Sequence, residues 1–476
     1  MPEVQTAATR RALKRGSPAL TDAELEELVR MEGYRKLWRG DHEAFFVDEG
    51  RTQHHFQYLT GEQRNLLYVT DNLARLLTLK FTDLLVGEEP LIEPAEENEV
   101  QAEALTRIAA QSRLHAKAYT AALGASIAGL SWLKVRLRGG KVILSAISAG
   151  YVFPEWEDRD DLLLRSVEQR SVHQVGETQY LWVERHLPGR IEHELWLLDE
   201  AGYLKGRMPD LTPIGRSEPP VQETRVDELL FVPVPNVCYE DEFASDYAGL
   251  ESLFDNLNNR RSQISRVLDR HGDPKLQVPE EMFDADGNFR FVGYEALGLP
   301  PGATALSYLT WDAHLADQFQ DVEETALTIL RNAEMAPRLV GLKKGAGQEA
   351  TETLRLEAIT TLAKVNRKAL FFRPALAAAL RVAQKLENAW VPGRRYPVGD
   401  VDVTLRDGLP ADEQRQTAIE ADAVQARIRS RYRAILNLSG DAEEAEEELT
   451  RMAEEEAGEP GSLTHALSHP EVDLNE

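Results

Sequence analysis

The chain has 476 residues, 42% hydrophobic and 28% charged, with a formal net charge of −26 and one cysteine, Cys238. That length accommodates two or three domains, each with its own core. The lone cysteine excludes an intrachain disulfide and a multi-cysteine metal site, and no apolar run reaches the roughly 18 residues a membrane span needs.

The N-terminal MPEVQTAATRRALKRG has basic residues without an apolar stretch behind them, so an arm rather than a secretory signal is expected. A helix follows at SPALTDAELEELVR, capped by Thr21 or Asp22, with Leu25, Leu28 and Val29 on one face. Apolar spacing predicts one long buried helix over residues 64 to 86 and another over residues 98 to 128.

The period then changes to two. SWLKVRLRGGKVILSAIS alternates on either side of Gly139-Gly140, a hairpin signature. LWVERHLPGRIEHELWLLDEAGYL repeats the pattern, with turns at Pro188-Gly189 and Glu200-Ala201-Gly202. Residues 130 to 235 thus predict a mainly antiparallel β region, closed by FVPVPNV.

Beyond Asp246 a helical stripe of Leu250, Leu253, Leu257, Ile264 and Leu268 ends at Gly272-Asp273-Pro274. A turn-rich stretch with a hairpin tip at Asp286-Gly287 separates it from a second helix, about Ala313 to Glu334. The pair makes a helix–β–helix protrusion whose stripes are expected to complete their packing against neighbouring copies. The alternative is an ordinary hairpin packed on its own subunit. PRLVGLKKGAGQEAT then leads into the longest helix, Glu349 to Trp390, where Pro374 predicts a kink. A short strand at 401–405, two tail helices broken at Ser439-Gly440 and a disordered end after Gly458 complete the expectation.

Catalytic and ligand motifs fail on inspection. GLKKGAGQEAT lacks the Gly-Lys-Ser/Thr of a phosphate loop. Asp284, Asp286, Asn288 and Glu295 match calcium-loop positions, but Phe289 stands where glycine is required, favouring a plain hairpin. His54-His55 has no further ligand at helical spacing, and no G-x-S-x-G elbow occurs. The expectation is a non-enzyme without catalytic residues, cofactor or metal.

Several phrases, in this order, resemble the portal (head–tail connector) family of tailed double-stranded-DNA bacteriophages: YRKLWRG with NLLYVTDNLARLLTLKFTDLLVGEEPLI, ISAGYVFPEWEDRDDLLLRSV, SDYAGLESLFDNLNNRRSQISRVLDRHGDPKLQV, ILRNAEMAPRLVG with GQEATETLRLEAITTLAKVNRKALFF, and RIRSRYRAILNLSGDAEEAEEELTRMAEEEA. The resemblance covers about Tyr34 to Ala457 and implies an α+β portal fold. Its expected parts are an arm and wing of helices plus antiparallel sheet (1–245), stem helix 1 (246–272), a small α/β clip (273–311) and stem helix 2 (312–335). A tunnel loop, long kinked helix and return to the wing (336–410) precede a helical crown and tail (411–476). The crown is short, and Arg427, Arg429, Arg431 and Arg433 make it more basic than an acidic lumen would suggest.

The resemblance further implies a homo-oligomeric ring of about twelve copies at the capsid vertex, a channel for DNA packaging and ejection. Such a ring carries on the order of minus three hundred charges, some of them facing the lumen, a repulsive lining that passes duplex DNA without sequence preference. The implied partners are the large terminase, then head-completion or adaptor proteins, with capsid and scaffolding proteins and no membrane. Assembly in the host cytoplasm and residence in the virion follow. By position, Arg338, Gly341, Lys343, Lys344, Gly345 and Gly347 form the tunnel loop that faces DNA, and Phe283, Phe289, Phe291 and Tyr294 the clip's docking surface. The competing readings are a smaller head–tail adaptor ring component and an acidic α+β enzyme.

Overall fold

A computed structural model describes residues 14–46, 68–159, 162–239, 242–272, 276–277, 307–308, 315–342, 356–406, 413–439 and 442–458. The chain divides into two compact units, one of residues 1–345 with 357–408, the other of 346–356 with 409–476.

In the first unit, α1 (Asp22–Arg39) opens with a capping box: the Thr21 hydroxyl accepts from Glu24 N while the Glu24 carboxylate accepts from Thr21 N. Its buried face is Met31, Tyr34 and Leu37, toward the C-terminal end, and Leu25 and Val29 stay exposed. Of the face predicted from the first turns, only Leu28 is half-buried. Helix α2 (His42–Phe46) follows.

Helix α3 spans only Leu73–Val86, because Asn72 caps it through Arg75 N. Residues 68–72 are not helical; Val69 N and Asp71 N donate to Ser262 Oγ and Asn258 Oδ1. Strand β1 (Leu91–Pro94) then leads to α4 (Glu99–Ser112) and α5 (Leu114–Ala128). One continuous helix was the expectation here. The break is at Arg113, in the left-handed region at φ 50, beside Ser112, whose Oγ accepts from Leu144 N.

Two antiparallel sheets follow. β2 (Leu130–Arg138) and β3 (Lys141–Ser148) pair through the Gly139-Gly140 turn, where both residues have positive φ, and β10 (Phe231–Pro235) completes the order β10-β2-β3. β4 (Val152–Asp158), β5 (Leu163–Val175), β6 (Thr178–Leu187), β7 (Arg190–Leu198) and β8 (Leu204–Arg207) lie in chain order, with β9 (Val221–Glu223) also on β7. Pro188-Gly189 forms the β6–β7 turn as expected. Trp132, Val152, Val167, Phe231 and Phe243 fill the apolar core where the sheets meet. Across the same boundary Lys134 of β2 pairs with Glu184 of β6 and donates to Gln169 of β5. A short β11–β12 pair, Cys238–Tyr239 with Glu242–Phe243, precedes the next helix.

Helices α6 (Glu251–Gly272) and α7 (Leu315–Asn332) pack on each other. Between them the described residues are the strand pair β13 (Leu276–Gln277) and β14 (Ser307–Tyr308). Helix α8 (Ile359–Trp390) runs across the helices α3 and α4 and the three-stranded sheet. The last strand, β15 (Val401–Thr404), returns to pair with β1.

The second unit holds α9 (Glu413–Gln425), α10 (Arg431–Ser439) and α11 (Ala442–Gly458). Two tail helices were expected. A further break precedes Arg431, with Arg427 at φ 56, where Arg427 N and Ile428 N close a turn onto Val424 O and Ala423 O. The end after Gly458 lies outside the described residues.

Candidate functional site

The helical pair buries more of itself than the sequence suggested. Phe254, Leu257 and Ile264 of α6 and Val322, Ala326, Ile329 and Leu330 of α7 are all shielded within one chain. Arg260 and Asp321 add an ion pair at 3.0 Å between the helices. Of the predicted stripe, Leu250, Leu257 and Ile264 are buried, Leu253 is half-buried and Leu268 is exposed. Phe319 of α7 is exposed as well.

The chain enters α6 through a buried polar node. Asp246 is withdrawn from water, with Lys368 Nζ at 2.7 Å, Lys364 Nζ at 3.3 Å and Asn236 Nδ2 at 3.1 Å. Lys368 also donates to Ser126 Oγ at 2.5 Å, and Asp246 N to Ser126 O. Burial by itself would raise the Asp246 pKa; the charges of Lys368 and Lys364, with hydrogen bonds from Lys368 and Asn236, hold it well below the usual carboxylate range. Asp246, through its carboxylate and its backbone N–H, thus ties α8, the end of α5 and the start of α6 together.

The glycine- and lysine-bearing segment is bordered by a second set of contacts. Ala336 N donates to Thr361 Oγ1 at 2.8 Å, and that hydroxyl donates to Glu334 O at 3.0 Å. Lys364 Nζ reaches Ala333 O, Arg367 binds both oxygens of Glu334, and Arg338 lies 3.6 Å from Glu357. A 3-10 turn, Pro337–Val340, ends at Gly341 with φ 76, a conformation glycine adopts without strain. Residues 333–336 are therefore bound to the first turns of α8, and Arg338 to Glu357 just before it.

These contacts locate some of the expected tunnel-loop residues. Arg338 sits half-buried in the border, engaged by Glu357, and Gly341 closes the turn. Lys343, Lys344, Gly345 and Gly347 lie outside the described residues, as do Phe283, Phe289, Phe291 and Tyr294 and the calcium-like positions. Pro374 lies inside α8 and is exposed; its ring nitrogen has no proton for the Leu370 carbonyl one turn back. Sequence reasoning missed Lys368, Thr361 and Asp246. A lysine within the apolar run KALFFRPALAAAL was the available signal, since a charge on a buried helix face demands a partner.

Among known structures the chain is similar to one from the virion of a native gene transfer agent particle, at 13% identity over 77% of this chain and 90% of that one, TM-score 0.38. It is similar also to chains of the necks of an empty and a native particle of that kind. For the empty neck the identity is 14%, over 77% of this chain and 90% of that one, with TM-score 0.41. For the native neck it is 10%, over 89% and 96%, with TM-score 0.45. No curated protein matches the chain. The sequence profile described as phage portal protein, SPP1 Gp6-like, matches residues 20–461. With nearly its whole length matched, the chain belongs to the phage portal protein family.

Proposed function

We propose that copies of this chain form a ring at a capsid vertex and that double-stranded DNA passes through its centre during packaging and ejection. The observation that carries this reading beyond family membership is the fixed border around residues 343–355. Thr361, Arg367 and Lys364 bind residues 333–336 to a helix anchored in turn by the buried Lys368–Asp246 pair. A segment bearing Lys343 and Lys344 is thereby given a rigid base, which a cationic contact with a moving phosphate backbone requires.

On this reading residues 1–245 are the arm and wing, α6 and α7 the stem, and residues 273–311 a clip that docks the large terminase and afterwards head-completion proteins. Residues 336–410 supply the tunnel loop and long helix, and residues 411–476 the crown and tail. A ring of about twelve copies follows from the family resemblance. Assembly takes place in the host cytoplasm, beside capsid and scaffolding proteins.

Light scattering on the purified chain, with negative-stain imaging, tests the ring. A species of about twelve times the monomer mass with a central hole is expected, and a stable monomer would overturn the reading. Lys343→Glu with Lys344→Glu tests the loop: rings should assemble while retention of packaged DNA falls, and unchanged retention would remove the loop from contact with DNA.

A further inference from the structure

Helix α8 carries its burial on one side. Val365, Lys368, Phe372, Leu376 and Ala379 face the body, whereas Ile359, Ala363, Asn366, Leu370 and Arg373 are exposed. The exposed positions recur at intervals of four, three, four and three residues, which places them in one row along the helix. Ile359 is 61% exposed and Leu370 is 71% exposed, and Pro374 borders the row. Single exposed leucines are ordinary; a row with heptad spacing on a long anchored helix is the pattern of a seam awaiting a partner.

What covers the row follows from its charge. Arg373 has no ion-pair partner among the described residues, and neither have Glu323 and Glu324 of α7, both exposed. Phe319, one helical turn before Glu323 and 47% exposed, gives that helix an apolar position beside the Glu323 carboxylate. The chain thus bears a row whose apolar positions, Ile359, Ala363 and Leu370, are interrupted by Asn366 and end in a cation, and on α7 an exposed aromatic ring beside an anion.

We propose that the outer row of α8 is the contact surface for a second copy of this chain, seated against the Phe319–Glu323 face of α7 in that copy. The proposal rests on the ring reading above and deepens it. Two unlike faces that match each other join head to tail, the kind of contact that closes into a ring, whereas pairing row to row offers Arg373 no carboxylate. Nucleic acid is the poorer occupant, because phosphate contacts come from cations, hydroxyls and N–H groups and give Ile359 and Leu370 nothing to pack on. The contact thereby moves from the stem pair, already well packed within one chain, to the helix behind it.

The test is ring mass by light scattering across a concentration series for the full chain, Leu370→Glu, Arg373→Glu, and Arg373→Glu combined with Glu323→Arg. Leu370→Glu should raise the concentration for half-assembly by about tenfold or more, without changing the melting midpoint of the dissociated subunit. Arg373→Glu should weaken assembly, and the combined charge exchange should restore it. If the unaltered chain never forms rings, the ring reading itself falls. If it forms rings and Leu370→Glu forms them equally well, the ring stands and this contact is overturned. Normal rings that fail only in holding duplex DNA would assign the row to DNA and also overturn it. Should Leu370→Glu melt early, the charge exchange decides alone: restored rings support the contact and unrestored rings refute it.

Discussion

Lys368 Nζ lies 2.7 Å from Asp246 Oδ2, and each side chain is almost wholly removed from solvent. The two residues stand 122 positions apart in sequence, so their pairing fixes where α8 crosses the entrance to α6. Phe81 lies beneath, with the Lys364 and Lys368 ammonium groups 4.3 and 5.0 Å from its ring centre.

Removing one partner of that pair should be costly. Lys368→Met leaves the Asp246 carboxylate buried with only Lys364 to balance it, and a loss of about 3–5 kcal/mol is expected by chemical denaturation. Pairing it with Asp246→Asn should recover much of that loss, since no buried charge is then stranded. Equal destabilisation by the single and double variants would show that the lysine contributes packing rather than charge.

Acid should weaken the fold first through buried histidines. Burial lowers the pKa of His186 to about 4, against the opposing hydrogen bond it donates to Glu184, and His42 and His193 are lowered by burial as well. A neutral histidine that protonates more readily unfolded contributes stability that is full above about pH 6.5 and is lost as pH falls toward 4. For His186 alone that amounts to about 3 kcal/mol. His186→Gln should flatten the fall of stability between pH 6.5 and 4, measured as denaturation midpoints; an unchanged slope would place the sensitivity elsewhere. The depressed carboxylates Asp246 and Glu184 act with the opposite charge type, and their contribution disappears only at still lower pH.

Thr361 is the hinge pin of the loop border, accepting from Ala336 N and donating to Glu334 O. Thr361→Val keeps the shape and strands both backbone groups, so a cost of about 1–3 kcal/mol is expected. Hydrogen exchange should show the amide of Ala336 losing protection while amides in the β2–β3 hairpin keep theirs. Uniform loss across the chain would mean that the border has no separate role.

Pro374 withholds a backbone donor from Leu370 inside a helix of 32 residues. Because the ring is exposed, Pro374→Ala opens no cavity and should stabilise the isolated chain by up to about 3 kcal/mol, read as a higher melting midpoint. An unchanged midpoint would show that surrounding packing, not the proline, sets the course of α8.

The parts legible in the sequence were those governed by local rules. Gly139-Gly140 and Pro188-Gly189 dictate their hairpins because the chain reverses within two residues, and the Thr21–Glu24 box marks its helix start within one turn. The helix interior near Pro374 was equally plain, as was the alternation of residues 130 to 235. Family membership was readable for a related reason: phrases kept in order along the chain identify it without any contact being known.

Tertiary structure decided what depends on distant partners. Apolar spacing could not tell that Leu25 and Val29 face outward, that Arg113 interrupts an alanine-rich helix, or that α6 and α7 would shield most of their stripes within one chain. Nor could it pair Lys368 with Asp246 or Thr361 with Ala336. Sequence determined where the chain turns and which periods it follows, because those are set by neighbouring residues. Which face is covered, and which charge is neutralised, was settled by segments more than a hundred residues away in the Lys368–Asp246 case, through desolvation that no local pattern records.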